Sequence, residues 1–504
     1  MTNDFTGSDF EAAGASRTGM SRRQFMAFAL QLLALASLPG CRNSTPVLGA
    51  QPMTDPFVVE EHCAALLRWA AQGIRDAVLV NVDTHDDFRL VPDARLGDLH
   101  ELYRRKDWQG FAAAGIPSDR SLYGISNWIY AGARLGVFRE VYWVIPFRIF
   151  EQPDPAALMR RLLQYCGFSA ADFQTFSLAD NRFSGTFRGI PITICGLQSL
   201  PDIREPLLLS LDVDFFPTYT SEYRVPYLRA LHDAFAALYR KRYRIRDLLV
   251  CYSVNGDYYL QPHDRWGGDT VVRLLADPGM IDAAPSELLD LLQELENGYR
   301  ARDGVELIRL TGRFLPRYPE ASVLLYNAYG HMLCGEPDRA FDAAMECCRR
   351  DRLYVTALPF IGINYLLTGR PREAEPFFRA GVSLDPAMRN GLFQFGTCLR
   401  QLGKLREAIV YYRKDVAILG SFPTEFFIAD CYLRLGDRQA ALASLAAAVK
   451  GVEGDPFAHV ANPMIAETID GIIAYCRHNG LNEIAARLQK TPAIIGMYQE
   501  FPRH

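Results

Sequence analysis

Four glycines in the second half of the chain, Gly335, Gly369, Gly403 and Gly436, are spaced 34, 34 and 33 residues apart. An alanine follows each of them at the fifth position: Ala340, Ala374, Ala408 and Ala441. A period of this length means one supersecondary unit used repeatedly, each copy stacking to bury its neighbour's apolar face. Glycine suits a left-handed turn between two helices. Alanine suits the place where those helices approach most closely. The stretches YNAYGHML, FIGINYLL, FQFGTCLR and FIADCYLR lie ahead of the glycines and supply the first helix of each pair. The spacing predicts an all-α repeat solenoid over about residues 300–490.

The first half reads differently. AVLVNVD (77–83), EVYWVIP (140–146), IPITICG (190–196), PLLLSLDVDFF (206–216) and DLLVCYSV (247–254) are apolar runs of strand length. Helical stretches such as 154–167 and 223–239 separate them. Continuous apolar strands alternating with helices predict an α/β domain with a mostly parallel sheet, over 57–285. A chain of 504 residues has room for both cores. Its net charge of −4 gives no reason to expect nucleic acid or an anionic membrane surface as a partner. The eleven cysteines are scattered without a CxxC pair, which argues against a disulfide scaffold and for core positions.

Two of the strand candidates end in acids. Asp83, His85, Asp86 and Asp87 crowd the end of the first, and Asp212 and Asp214 the end of the fourth. Alternation along an extended chain puts Asp83, His85 and Asp87 on one side, and Asp212 and Asp214 likewise. Ligands of open parallel sheets bind beyond the carboxyl ends of the strands, so neighbouring strands would bring the two clusters together. Like charges gathered at one place need a positive charge among them. Carboxylates with an imidazole make a hard site that suits Mn²⁺ better than a thiolate-rich zinc site does. They can also bridge two divalent ions.

The N-terminal segment SRRQFMAFALQLLALASLPGC (21–41) sets Arg22-Arg23 before an apolar run from Phe25 to Leu38. The run is too short for a good spanning helix. It resembles a twin-arginine export signal, and LPGC resembles a lipoprotein processing site with Cys41 as the lipidated residue. That implies a signal over 1–41, a linker over 42–56, and a periplasmic or membrane-anchored protein whose membrane contact is the Cys41 anchor. The glycine-alanine period resembles the tetratricopeptide repeat, which implies a peptide or protein partner held on a concave face.

VVEEH, VDTHDD, SNWIYAGARLGVFREVYWVIP and LSLDVDFF together resemble the arginase and deacetylase superfamily, and within it the uncharacterised family UPF0489. That family includes enzymes converting peptide arginine to ornithine. The resemblance covers roughly residues 57–265. It implies an arginase-like three-layer domain with two divalent ions, Mn²⁺ by preference. His62, Asp83, Asp87 and Asp212 would hold one ion, and Asp83, His85, Asp212 and Asp214 the other. Asp83 and Asp212 would bridge, with Asp86 no ligand. A metal-bridging hydroxide would attack the carbon of a guanidino-type substrate and release urea.

Substrate contacts are less defined. Ser126 and Asn127 either face the site or, at Ser126, cap a helix. Asn255, Asp257 and Tyr258 either reach the ligand or belong to an Asn-Gly turn. The histidine that serves as proton shuttle in ureohydrolases has no clear counterpart: His100 lies in GDLHELYRR, which does not match. Two other readings stand beside this one. The chain can be a mononuclear zinc deacetylase or amidohydrolase, or a non-catalytic exported repeat scaffold.

Overall fold

The computed structural model describes residues 56–486, apart from 117–120, 166–167, 255–259, 387, 389–390, 420–423, 455–462, 479, 481 and 483–484. The expected signal and Cys41, the linker up to residue 55, and Asn255, Asp257 and Tyr258 lie outside the described residues.

Eight strands form one sheet in the order β1-β8-β7-β2-β3-β6-β5-β4. They are β1 (Phe57–Val59), β2 (Ala77–Val82), β3 (Phe138–Val144), β4 (Ser177–Ala179), β5 (Arg182–Phe187), β6 (Ile190–Cys195), β7 (Leu207–Asp212) and β8 (Ile245–Cys251). The five apolar runs became β2, β3, β6, β7 and β8, and all of these pair in parallel. Every residue of β2 and β7 is buried, as central strands of a sheet covered on both faces must be. β1 adds to the β8 edge in parallel.

The sequence reading missed the other edge, where β5 pairs antiparallel with both β4 and β6. A two-residue turn, Asp180–Asn181, joins β4 to β5 with φ of 51° and 55°. That left-handed pair matches the natural twist of a hairpin. It left no apolar run to detect, because β4 is exposed at every position.

Among the described residues from Glu287 onward, every regular element is a helix. Gly335, Gly369, Gly403 and Gly436 have φ of 76°, 72°, 75° and 80°, so each supplies the left-handed turn its spacing predicted. Ala340, Ala374, Ala408 and Ala441 are fully buried. The described cysteines are free, and all but Cys334 are buried. No helix among the described residues is long and apolar enough to cross a membrane.

The described residues gather into two compact units, one up to Ala357 and one from Leu358. The first unit includes the helices Glu287–Arg300, Gly304–Phe314, Ala321–Leu333 and Pro337–Arg350 along with the sheet. A buried polar network links two of these helices, Glu287–Arg300 and Ala321–Leu333, to the segment 263–266 that follows β8. The Trp266 indole N–H donates to Tyr326 Oη at 3.2 Å, and Tyr326 donates to Glu296 Oε2 at 2.8 Å. Arg300 Nε donates to Glu296 Oε1 at 2.5 Å, and His263 Nε2 lies 3.6 Å from Glu296 Oε2. Burial works against the Glu296 carboxylate, but His263 and Arg300 outweigh it and hold the group below its usual range.

The helix Trp128–Arg134 packs on β3 through Gly132, where an added Cβ would meet Phe138 Cε2 at 2.3 Å. Gly132→Ala should therefore lower unfolding stability by about 1–3 kcal/mol through overpacking. A urea melt checks this, and an unchanged midpoint would mean that Phe138 has room to move.

Candidate metal centre

Parallel pairing of β2 with β7 sets Asn81 beside Ser210 and Val82 beside Leu211. Asp83 and Asp212 therefore leave the sheet side by side at its carboxyl edge. Each then bends the chain over itself. Asp83 Oδ1 accepts the His85 N–H at 2.7 Å, and Asp212 Oδ1 accepts the Asp214 N–H at 3.0 Å. These matching Asx turns end the extended backbone. The expected alternation of Asp83, His85 and Asp87 fails for that reason. Their side chains gather through a bend instead, with Asp87 in the left-handed region at φ 52°.

His62 lies in the turn ahead of the helix Ala64–Ala71, not on a helix. Its Nδ1 is 3.1 Å from Asp83 Oδ2, 3.2 Å from Asp212 Oδ2 and 3.3 Å from Asp87 Oδ2. That nitrogen is enclosed and makes no directed hydrogen bond among the described residues. Its Nε2 lies 2.5 Å from Ser210 Oγ, which fixes the ring. The imidazole rests on Trp128 with ring centroids 4.8 Å apart, and the Trp128 indole N–H donates to Asp87 Oδ2 at 2.6 Å. Beside this group, His85 Nδ1 is 2.7 Å from Asp214 Oδ2 and 3.8 Å from Asp83 Oδ1.

Donor atoms of His62, Asp83 and Asp87 lie within 4.8 Å of one another, and so do those of Asp83, His85 and Asp214. Asp83 belongs to both groups. Asp212 reaches the first through His62 and the second through its turn onto Asp214. The four carboxylates are buried, and no lysine or arginine forms an ion pair with them among the described residues. Burial pushes the Asp83 carboxyl well up, helped by the charges of Asp214 and Asp87. Burial and Asp214 push Asp212 up too. Burial alone would lower the His62 imidazole, but Asp212, Asp83 and Asp87 outweigh it and hold it well above its ordinary value. Convergent oxygens with two imidazoles, and no lysine or arginine paired with them among the described residues, fit divalent ions.

Asp86 stands apart: its Oδ2 accepts the Phe88 N–H at 3.3 Å, and burial pushes its carboxyl up. Ser126 does not cap the helix Trp128–Arg134. Asn127 occupies that position without a side-chain cap bond, and its Oδ1 accepts the Gly124 N–H at 2.8 Å. His100 is exposed, with Nδ1 2.9 Å from its own helix's Leu96 carbonyl.

The sequence reading missed the residues behind the donors. The Asn81 amide donates to Asp83 Oδ2 at 3.1 Å. The Ser253 hydroxyl donates to Asp212 Oδ2 at 2.8 Å from a left-handed backbone at φ 53°. The Thr84 N–H donates to Asp214 Oδ1 at 3.3 Å. Asn81 and Ser210 did leave a signal: each is the polar residue two places before an aspartate in an otherwise apolar strand, hence on the same face.

No family model matches the chain, and no curated protein matches it. Solved structures similar to part of it include MamA, with 19% identity over 32% of this chain and 95% of that one, at a TM-score of 0.27. Another is YrrB, described as a TPR protein with an unusual peptide-binding site, with 17% identity over 32% of this chain and 86% of that one, at a TM-score of 0.26.

Burial opposes the His85 charge, but Asp214, Asp83 and Asp87 outweigh it and hold its pKa up at about 10. In metal-free protein this charge stabilises the fold fully below about pH 6.5. The contribution is lost as pH rises through about 10. Urea midpoints measured in chelator should fall with rising pH in the wild type and fall less in His85→Asn. Equal slopes would show that His85 is not charged by its neighbours.

Proposed function

We propose that the chain is a dinuclear-metal hydrolase of C–N bonds, acting on a guanidino group, with Mn²⁺ as the preferred ion. The observation that carries the reading is the enclosed His62 Nδ1, surrounded at 3.1–3.3 Å by oxygens of Asp83, Asp87 and Asp212 while making no directed hydrogen bond among the described residues. His62, Asp83, Asp87 and Asp212 would hold one ion, and Asp83, His85, Asp212 and Asp214 the other. Divalent ions in such a site act as Lewis acids and raise the acidity of water.

The chain's own residues supply orientation and field. The two Asx turns, with Asn81 and Ser253 behind them, fix the carboxylates of Asp83 and Asp212. Ser210 and Trp128 fix His62 and Asp87. His85 is the least buried member, its side chain 36% accessible, so substrate would approach from its side. A cluster of acids favours a cationic group such as guanidinium. The choice of guanidine rests on the sequence likeness of VDTHDD and LSLDVDFF. Binding of a peptide or protein by the repeats belongs to the same proposal and rests on the glycine-alanine period. Export rests on the residues around Arg22-Arg23.

Metal content by mass spectrometry, on protein folded with Mn²⁺, is the direct test. About two manganese ions per chain are expected, lost in Asp212→Ala, together with urea release from arginine peptides that Asp212→Ala abolishes. A single zinc ion would favour the mononuclear deacetylase reading, and no metal the repeat scaffold. Trp128→Phe, which deletes the hydrogen bond to Asp87, should weaken Mn²⁺ binding about 10–100-fold. Unchanged affinity in a titration would remove Trp128 from the centre.

A further inference from the structure

The pairing that sets Asp83 beside Asp212 has a neighbour on the far side. Cys251, the last residue of β8, pairs with Asp212 in parallel register, so both side chains leave the same face of the sheet. A ring nitrogen of His62, a carboxylate oxygen of Asp212 and the Cys251 sulfur lie within 4.8 Å of one another, and all three residues are buried. The sulfur is 3.2 Å from Ser253 Oγ, whose hydroxyl donates to Asp212 Oδ2 at 2.8 Å. His62 Nδ1, enclosed and without a directed hydrogen bond among the described residues, lies 3.2 Å from Asp212 Oδ2. The oxygen-rich pair of ions uses no sulfur, so this thiol is left over.

We propose that His62, Asp212 and Cys251 form an alternative nitrogen-oxygen-sulfur site that captures thiophilic divalent ions, of the zinc, cobalt and cadmium kind, in competition with Mn²⁺. The inference rests on reading the cluster as a metal centre. Its physical basis is ligand softness. Carboxylates alone suit Mn²⁺, whereas a thiolate beside an imidazole favours the later, more polarisable ions. Coordination replaces the S–H bond of Cys251 with a sulfur–metal bond and releases the proton to solvent. The two modes share His62 and Asp212, so they exclude each other. An ion held through Cys251 would also take up the Asp212 carboxylate that the proposed manganese mode needs. The centre thus carries its own means of discriminating metals, and the affinity and supply of the competing ions decide which mode it adopts.

Cobalt(II) added to metal-free, reduced protein tests this through the near-ultraviolet band of a thiolate-to-cobalt bond. The band should appear in the wild type, vanish in both Cys251→Ser and Cys251→Ala, and be suppressed in wild type saturated beforehand with Mn²⁺. Mn²⁺ binding followed by electron paramagnetic resonance should persist in the two variants, which also shows that they fold. If neither variant folds, suppression by Mn²⁺ in the wild type decides the matter. Mn²⁺ binding without the band, or a band that survives either the substitutions or Mn²⁺ saturation, overturns the inference and leaves the manganese reading standing. Protein that binds neither ion overturns both.

Discussion

Four carboxylates buried at the ends of two adjacent parallel strands are the constraint on which the first unit is organised. Like charges withdrawn from water repel each other and lose hydration, and burial drives Asp83 and Asp212 towards their neutral forms. Such a cluster persists only where something compensates it. Two histidines from different parts of the chain, His62 and His85, carry part of that compensation through the distances their rings hold to the acids. Divalent ions, as proposed, would carry the rest.

The surrounding framework makes sense as the means of holding that cluster still. Asp83 and Asp212 each accept the backbone N–H two residues on, so the strand end and the donor are fixed by one hydrogen bond. Asn81, Ser210 and Ser253 introduce polar groups into an otherwise apolar interior, and each spends its hydrogen bond on a member of the cluster. Trp128 does so from the other side, supporting the His62 ring with its face and Asp87 with its N–H. The helix carrying Trp128 reaches the sheet because Gly132 leaves room for Phe138.

The helical half depends on a different economy of contacts. Its repeats need one left-handed turn and one small residue per period, and Gly335 with Ala340 opens that series inside the first unit. Two of the helices before it meet the segment 263–266 at Glu296, which satisfies Tyr326 and Arg300 at once and lies close to His263. A buried carboxylate with that many partners fixes the register of the elements that meet around it.

Much of this was legible in the sequence. Central strands had to be continuous apolar runs, and the repeats had to show their period, because both follow from local rules of burial and turn geometry. The acids at the ends of β2 and β7 stood out for the same reason. What lay beyond local rules was decided by the tertiary structure. Sequence spacing cannot tell that β2 lies between β7 and β3, which is what brings Asp83 to Asp212. Nor can it tell that His62, 21 residues before Asp83, turns its Nδ1 into their midst. Ser253 and Cys251 were hidden because their part comes from pairing of β8 with β7, not from any pattern along the chain. The sequence by itself determined which residues had to be buried and which turns had to be made. The tertiary structure decided which distant donors meet, because strand order and register, unlike burial, are settled by contacts between segments far apart in the chain.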